Sequence, residues 1–338
     1  MTVAGLCVES MFDGRSTNSR MLTPQIRMVR LAGIQGSFYV NSTKLLQFFD
    51  KRRERGDPLV LVTVYDTEGS TYSKAGAHML VDQNGVFRGM LSGGCLEGDL
   101  AIRAQQVLES GTPQTVTYNL GEDDDELWGM GVGCDGLMRV YLQPLLAQSD
   151  YAPFAQIADV LRGNAAAEFT ISIEGESPCE LVFVVEPTPR VLVLGAGLDA
   201  EPVVRFAAEL GWRCTVVDHR QAYIDNGDFS TALSVLCAPA DELSTRLDLS
   251  FYDMAIVMSH HLASDRSYLM QLAATDIAYV GLLGPRNRRD RLLAEIGAAR
   301  AKLEHRLYGP AGIDLGGRGP APIALSIIAQ MQEKLSSG

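Results

Sequence analysis

Two cysteines stand in similar glycine-rich settings, Ser92-Gly93-Gly94-Cys95-Leu96-Glu97 and Gly131-Val132-Gly133-Cys134-Asp135-Gly136. Glycine beside a thiol marks backbone that approaches something closely, or that takes a φ/ψ a Cβ forbids. Structural cysteines usually pack among bulky apolar neighbours. Cys95 and Cys134 therefore read as presented rather than packed, with plain burial as the alternative. Cys95 lies just before a predicted helix, Leu96–Glu109, whose amino-terminal partial charge favours a thiolate. Glu97 and Asp99 oppose that effect, and Asp135 does the same beside Cys134. The chemistry left is that of a soft metal ligand, or of a sulfur donor or acceptor, rather than of an activated nucleophile. Neither cysteine has a CxxC partner, which argues against a structural zinc site.

A second group of residues points to phosphate. Gly195-Ala196-Gly197-Leu198-Asp199-Ala200 follows a predicted strand, Arg190–Leu194, and opens a helix. Asp218 ends the next predicted strand. This is the dinucleotide fingerprint in its proper setting, with alanine at the third small position. The glycines let backbone N–H groups reach a phosphate at the helix start, and the acid can take a ribose hydroxyl. Met258-Ser259-His260-His261 ends a later strand, where ligands of open α/β sheets bind. Gly284-Pro285-Arg286 follows the next strand, where Gly284 and Arg286 could clamp a phosphate or carboxylate. A solvated histidine and a basic surface turn are the plainer readings of these last two.

The elements that must hold these residues fall into two halves, divided near Pro187 and Pro189. The first half has an opening helix (Thr43–Arg55), strands at Leu59–Tyr65, His78–Val81 and Val86–Leu91, and a hairpin signal at Asn84-Gly85. Further strands are expected at Gln114–Asn119, Leu137–Gln143, Phe169–Ile173 and Leu181–Val185. After Pro189, strand and helix alternate, which implies a parallel doubly wound sheet. The expected divisions are a poorly ordered extension over 1–41, a mixed α/β domain over 42–187 and a Rossmann-like domain over 188–338.

Composition narrows the partners. The chain has 338 residues, a net charge of −12, 46% hydrophobic and 21% charged residues. An acidic chain lacks the basic stripe of a nucleic-acid binder and the charge that clings to anionic membranes. No apolar run approaches the ~20 residues of a spanning helix. Six cysteines in such a chain do not make a disulfide framework, and no secretory signal pattern opens it. A reducing, cytoplasmic setting is expected. The acidic run Glu122–Glu126 reads as a solvated loop.

In order and combination, these stretches resemble the XdhC/CoxI family, accessory proteins of molybdenum-containing hydroxylases. The matching segments are Thr71–Val81, Gly89–Glu97, Gly131–Gly136, Val193–Gly197, Val216–Arg220, Val257–His260, Tyr279–Arg286, Gly309–Gly316 and Ile323–Ile327. Leu198 stands where members often carry His, and Lys74 where they often carry Arg. The resemblance implies a homodimeric chaperone rather than an enzyme. It would bind the molybdenum cofactor, support its sulfuration with a cysteine desulfurase, and insert it into an apo-molybdoenzyme of the xanthine dehydrogenase, aldehyde oxidase or CO dehydrogenase type. On that reading Cys95 and Cys134 lie near molybdenum, while Gly195, Gly197, Asp218, His260, Gly284 and Arg286 hold the phosphate-bearing end. The rival reading from the fingerprint is an NAD(P)-dependent oxidoreductase. A sulfurtransferase is a third, disfavoured by the acids beside both thiols.

Overall fold

The computed structural model describes residues 27–30, 42–120, 136–174 and 178–337. The first half is built on a five-stranded antiparallel sheet of order β4-β3-β2-β6-β5. Its strands are β2 (Leu59–Gly69), β3 (His78–Asp82), β4 (Phe87–Gly89), β5 (Gln114–Asn119) and β6 (Gly136–Leu145). Both faces are covered, so β2 reads as a continuous apolar run rather than an alternating one. Val60, Val62 and Val64 point to helix α2 (Glu97–Ser110), meeting Leu96, Leu100, Ala104 and Val107. Leu59 and Leu61 point the other way, to helix α1 (Ser42–Arg53), helix α3 (Phe154–Arg162) and a second, three-stranded sheet.

That small sheet joins β7 (Ala167–Ile173) antiparallel to β8 (Cys179–Val185), with β1 (Arg27–Arg30) parallel to β8. The expected unordered stretch 1–41 thus contains one ordered strand, because the free edge of β8 offers its hydrogen-bonding groups to Arg27–Arg30. The rest of that stretch lies outside the described residues, as do Cys134 and the acidic run Glu122–Glu126.

The second half carries a wholly parallel six-stranded sheet of order β11-β10-β9-β12-β13-β14. Its strands are β9 (Arg190–Leu194), β10 (Arg213–Asp218), β11 (Ser234–Cys237), β12 (Met254–Val257), β13 (Tyr279–Leu282) and the two-residue β14 (Leu307–Tyr308). Along β9 the side chains alternate between faces. Val191 and Val193 pack with helix α4 (Ala200–Glu209) and with the last helix, Pro320–Ser337. Leu192 and Leu194 pack with the helices Leu262–Leu272 and Arg286–Glu295. In chain order the helices after α4 are α5 (Gln221–Asn226), α6 (Leu243–Arg246), α7 (Leu262–Leu272), α8 (Arg286–Glu295), α9 (Arg300–Leu303) and α10 (Pro320–Ser337). The strand order reverses between β9 and β12, and the crevice of a doubly wound sheet opens there.

The two halves meet through polar contacts at the amino-terminal edge of this sheet. Arg190, first in β9, and Arg213, first in β10, both donate to the Arg162 carbonyl, at 2.8 and 2.7 Å. Lys44 pairs with Glu209 at 2.8 Å, at the far end of α4.

Phe154 is fully buried, with its ring centroid 5.0 Å from that of Phe49. Phe154→Ala is expected to destabilise the chain by about 3–5 kcal/mol through lost burial and a residual cavity, measured as a lower urea midpoint.

Candidate functional site

Cys95 is half-buried and lies two residues before α2, in a loop bent by two left-handed glycines, Gly93 at φ 76° and Gly94 at φ 113°. The loop is held from within by Glu97, the first residue of α2. One Glu97 oxygen accepts from the Leu91 and Ser92 N–H groups, each at 2.8 Å. The other accepts from the Gly94 N–H at 2.9 Å and the Ser92 hydroxyl at 2.5 Å. Ser92 Oγ in turn accepts from the Leu96 N–H at 2.7 Å. Glu97 is almost fully buried, which raises a carboxyl pKa, but these hydrogen bonds outweigh that and hold it below its ordinary value. The acid expected to oppose a thiolate at Cys95 is therefore committed to the loop backbone.

Beside this loop stands Tyr72, an exposed aromatic ring. A Cβ on Gly93 would come within 3.3 Å of it. Ser73 Oγ donates to the Met90 carbonyl at 3.4 Å, tying the 71–74 turn to the cysteine loop. Lys74 donates to Thr71 Oγ1 at 3.3 Å. Gly136, last residue of the second cysteine segment, pairs with Gly69 at the start of β6. A Cβ there would collide with the Ser70 carbonyl oxygen.

The other predicted residues gather at the carboxyl edge of the parallel sheet. Gly195 has φ 123°, and a Cβ on it would lie 2.6 Å from the Met258 carbonyl and the Ser259 nitrogen. Only glycine lets the turn after β9 pass so close to the end of β12. His260 takes φ 59°, rare for a residue with a Cβ, and its ring lies over Gly197. Its Nε2 is 3.0 Å from Asp199 Oδ2. His261 caps α7, accepting from the Ser264 N–H at 3.3 Å. Gly284, at φ 127°, and the exposed Arg286 sit at the start of α8. A pocket of about 350 Å³ lies beside them, lined by Gly284, Pro285, Pro310, Asp314, Gly316 and Ser326. A larger groove, about 1200 Å³, lies at the opposite edge among Tyr252, Asp253, Gln271 and Tyr279, and contains none of the predicted site residues. The carboxyl edge is preferred as the site because the glycine turns and the strand order converge there.

Asp218 is fully buried and saturated. Its Oδ2 accepts from the Ala196 N–H at 2.7 Å and Arg220 Nη2 at 2.8 Å. Its Oδ1 accepts from the Arg220 backbone and Nε, each at 2.9 Å. Burial pushes its pKa up, yet the Arg220 guanidinium and the two amides hold it below the ordinary carboxylate value. Arg220 also donates to the Ser259 carbonyl at 3.2 Å, joining β10 to the end of β12. Beneath this, Ser259 Oγ donates to buried Asp265 at 2.5 Å, and Arg288 pairs with Asp265 at 2.7 Å. Sequence reasoning placed Asp218 here but missed Arg220, Asp265 and Arg288 as its framework. The Asp-x-Arg spacing was the one visible signal, and nothing local links Asp265 to Arg288.

Thus the structure brings Gly195, Gly197, Asp218, His260, Gly284 and Arg286 to one edge. It places Cys95 in the other half, in the loop before α2. Cys214 is buried, and burial pushes its thiol up to about 12, so it is inert.

Together, the antiparallel first half and the fingerprinted parallel sheet define a two-part α/β protein with a Rossmann-type crevice. Sequence models described as the XdhC and CoxI family and the XdhC Rossmann domain match residues 52–119 and 191–331. A probable xanthine dehydrogenase subunit of Bacillus subtilis is 30% identical over 318 residues, covering 83% of this chain and 94% of that protein. The chain belongs to the XdhC/CoxI family. The molybdenum cofactor insertion chaperone PaoD of Escherichia coli is 25% identical over 311 residues, covering 85% of this chain and 86% of PaoD. A crystal structure of a xanthine dehydrogenase from Bacillus halodurans superposes with a TM-score of 0.75 at 29% identity, covering 86% of this chain and 96% of that one.

Both locked carboxylates have a testable consequence. Their folded pKa values lie below the unfolded ones, so their stabilisation is present above the unfolded carboxyl range and fades as pH falls through the folded values. Stability should therefore fall from about pH 4.5 downward. Glu97→Gln should lower stability at pH 7 by about 1–3 kcal/mol and flatten that acid limb, read from urea midpoints across pH. Gly195→Ala should be more damaging than Gly98→Ala, whose added Cβ meets nothing within 4 Å.

Proposed function

We propose that this chain binds the molybdenum cofactor and delivers it to an apo-molybdoenzyme of the xanthine dehydrogenase type. The family relation, with PaoD and the Bacillus subtilis protein among the relatives, supports an accessory role of this kind. One structural observation carries the reading further: a thiol loop pre-shaped by its own buried carboxylate shares a chain with a glycine turn of the phosphate-binding kind.

Bound, the cofactor supplies a molybdenum centre on a pterin dithiolene that ends in phosphate. The residues present fit such a group. Cys95 is a half-buried soft donor in a loop whose left-handed glycines leave room beside it. The exposed ring of Tyr72 offers an apolar face next to that loop. The turn Gly195–Gly197, with His260 over it and Arg286 at the next turn, would bring backbone close to a phosphate. Glu97 acts as a positioning residue, because it accepts from four donors of the loop that carries the thiol. Cys134, which falls outside the described residues, is proposed for the same role as Cys95. Sulfuration with a cysteine desulfurase, a homodimeric state and a cytoplasmic setting belong to the same proposal.

The oxidoreductase reading draws less support from the site. The acid that would take a ribose diol, Asp218, already accepts four hydrogen bonds.

The test is anaerobic purification with the cofactor pathway co-expressed, followed by assay of molybdenum and of the fluorescent oxidised pterin. Both are expected in comparable molar amounts with the chain. Stoichiometric NAD(P) without pterin would overturn the proposal. Cys95→Ala is expected to lower bound molybdenum severalfold while leaving the thermal midpoint within a few degrees of the parent's. Full loading and unchanged delivery to apo-enzyme would return Cys95 to a packing role.

A further inference from the structure

The pocket of about 350 Å³ beside Gly284 has firmly held walls and one uncommitted polar group. It lies between the turn that follows β13 and the loop that follows β14. Helix α10 holds that loop. Gln330 grips Gly312 with both ends of its amide: Oε1 accepts from the Gly312 N–H at 2.8 Å, and Nε2 donates to the Gly312 carbonyl at 3.3 Å. The same Oε1 accepts from the Tyr279 hydroxyl at 2.8 Å, which ties the loop to β13. The Ser326 hydroxyl donates to the Ile313 carbonyl, and the Ala311 N–H donates to the Leu282 carbonyl at 3.0 Å. Gly312 takes φ 102°, and a Cβ there would collide with Ser326 Oγ.

The lining is mostly apolar. Pro285, Pro310 and Pro322 supply rigid walls. Ile313 and Leu315 also line it, yet 37% and 52% of their surface is exposed. Large apolar side chains left exposed around a concavity mark a surface that binds something. Asp314 is the one ionisable residue of the lining. Its Oδ1 accepts from the Gly316 N–H at 3.2 Å, and among the described residues the carboxylate makes no ion pair and no other hydrogen bond. A carboxylate offers about four acceptor positions, so most of this one's capacity is open. The one hydroxyl of the lining, that of Ser326, is already spent on Ile313.

We propose that this pocket takes a flat aminopyrimidinone ring, with Asp314 accepting from its donor edge and the prolines and Leu315 against its faces. On that edge, common to pterins and guanine, a ring N–H and an exocyclic amine lie side by side. Two parallel donors meet the two carboxylate oxygens as the fork of a guanidinium does. The volume is at the lower end of the range of about 300–1,000 Å³ for ligand pockets, which suits a bicyclic ring rather than a whole nucleotide. Gly284 belongs to the lining, so the rest of the ligand runs from the pocket into the crevice. The inference rests on the reading of that crevice as a cofactor site, and it names the part of the ligand held at this end.

Equilibrium dialysis of the full chain against four small probes tests this. Pterin and GMP carry the paired donors. Lumazine, with an oxo group in place of the amine, and IMP, which lacks the amine, are their counterparts. At least one of pterin and GMP is expected to bind about fivefold or more tighter than its counterpart, because a site built to accept from a donor rejects the analogue without it. Which pair is discriminated identifies the source of the ring as a pterin or a guanine nucleotide. Asp314→Asn keeps an oxygen for the Gly316 N–H, so it should fold with an unchanged thermal midpoint, and it should abolish the preference. Leu315→Ala, at an exposed position, should weaken a probe and its counterpart by the same factor. No binding of any probe, equal binding within both pairs, or a preference that survives in Asp314→Asn would overturn the inference. Molybdenum and pterin that co-purify equally with the parent and Asp314→Asn, without any preference in dialysis, would sink the pocket and leave the cofactor reading standing. A preference for GMP in a chain that carries no pterin would do the reverse.

Discussion

The second half of this protein depends on one buried carboxylate. Asp218 ties the glycine turn after β9 to the end of β10 through the Ala196 N–H, and through Arg220 it reaches the end of β12. Three strand ends that surround the crevice are thus fixed to one another by a single charge-assisted cluster. A charge with no exposure to water is tolerable only because every oxygen lone pair is directed at a donor. Removing Arg220 would strand that charge, and removing Asp218 would strand the guanidinium and free the turn. In such a lock the acid of the fingerprint no longer addresses a ligand. Both oxygens of that acid are taken up within the chain.

The first half uses the same physics on a different backbone. Glu97 gathers the amides of Leu91, Ser92 and Gly94 as Asp218 gathers that of Ala196. In both places a buried carboxylate shapes a glycine-containing loop by accepting from its backbone. Glycines supply the conformations, and the acids remove the freedom the glycines would otherwise bring. Two glycine-containing loops are thereby held in place through their backbones.

How much of this could be read from the chain varies with the range of the interactions. Gln114–Asn119 and Arg190–Leu194 coincide with their sequence expectations because short β-rich runs between breakers carry their own boundaries. The Rossmann order was legible from alternating strands and helices, and the crevice residues from their places at strand ends. Helix α3 was overlooked although Phe154, Ile157, Ala158 and Leu161 carry its periodicity. The pairing of β1 with β8 had no local sign, because register across about 150 residues is set by the edge it completes. For Glu97 the sequence showed only an acid near a thiol. Whether its charge faces the sulfur or the backbone is decided by the turn at Gly93 and Gly94. Arg220 was visible in the motif, but its folding back onto Asp218 was not.

A parallel sheet has two unlike edges, and here they carry different duties. The polar contacts that join the halves, Arg190 and Arg213 on the Arg162 carbonyl and Lys44 on Glu209, belong to the amino-terminal edge. Every crevice residue belongs to the carboxyl edge. The mechanical joint and the crevice loops are therefore separated by the length of the strands, so the loops can vary in sequence without loosening the joint. Such a scaffold can be altered at the crevice one loop at a time.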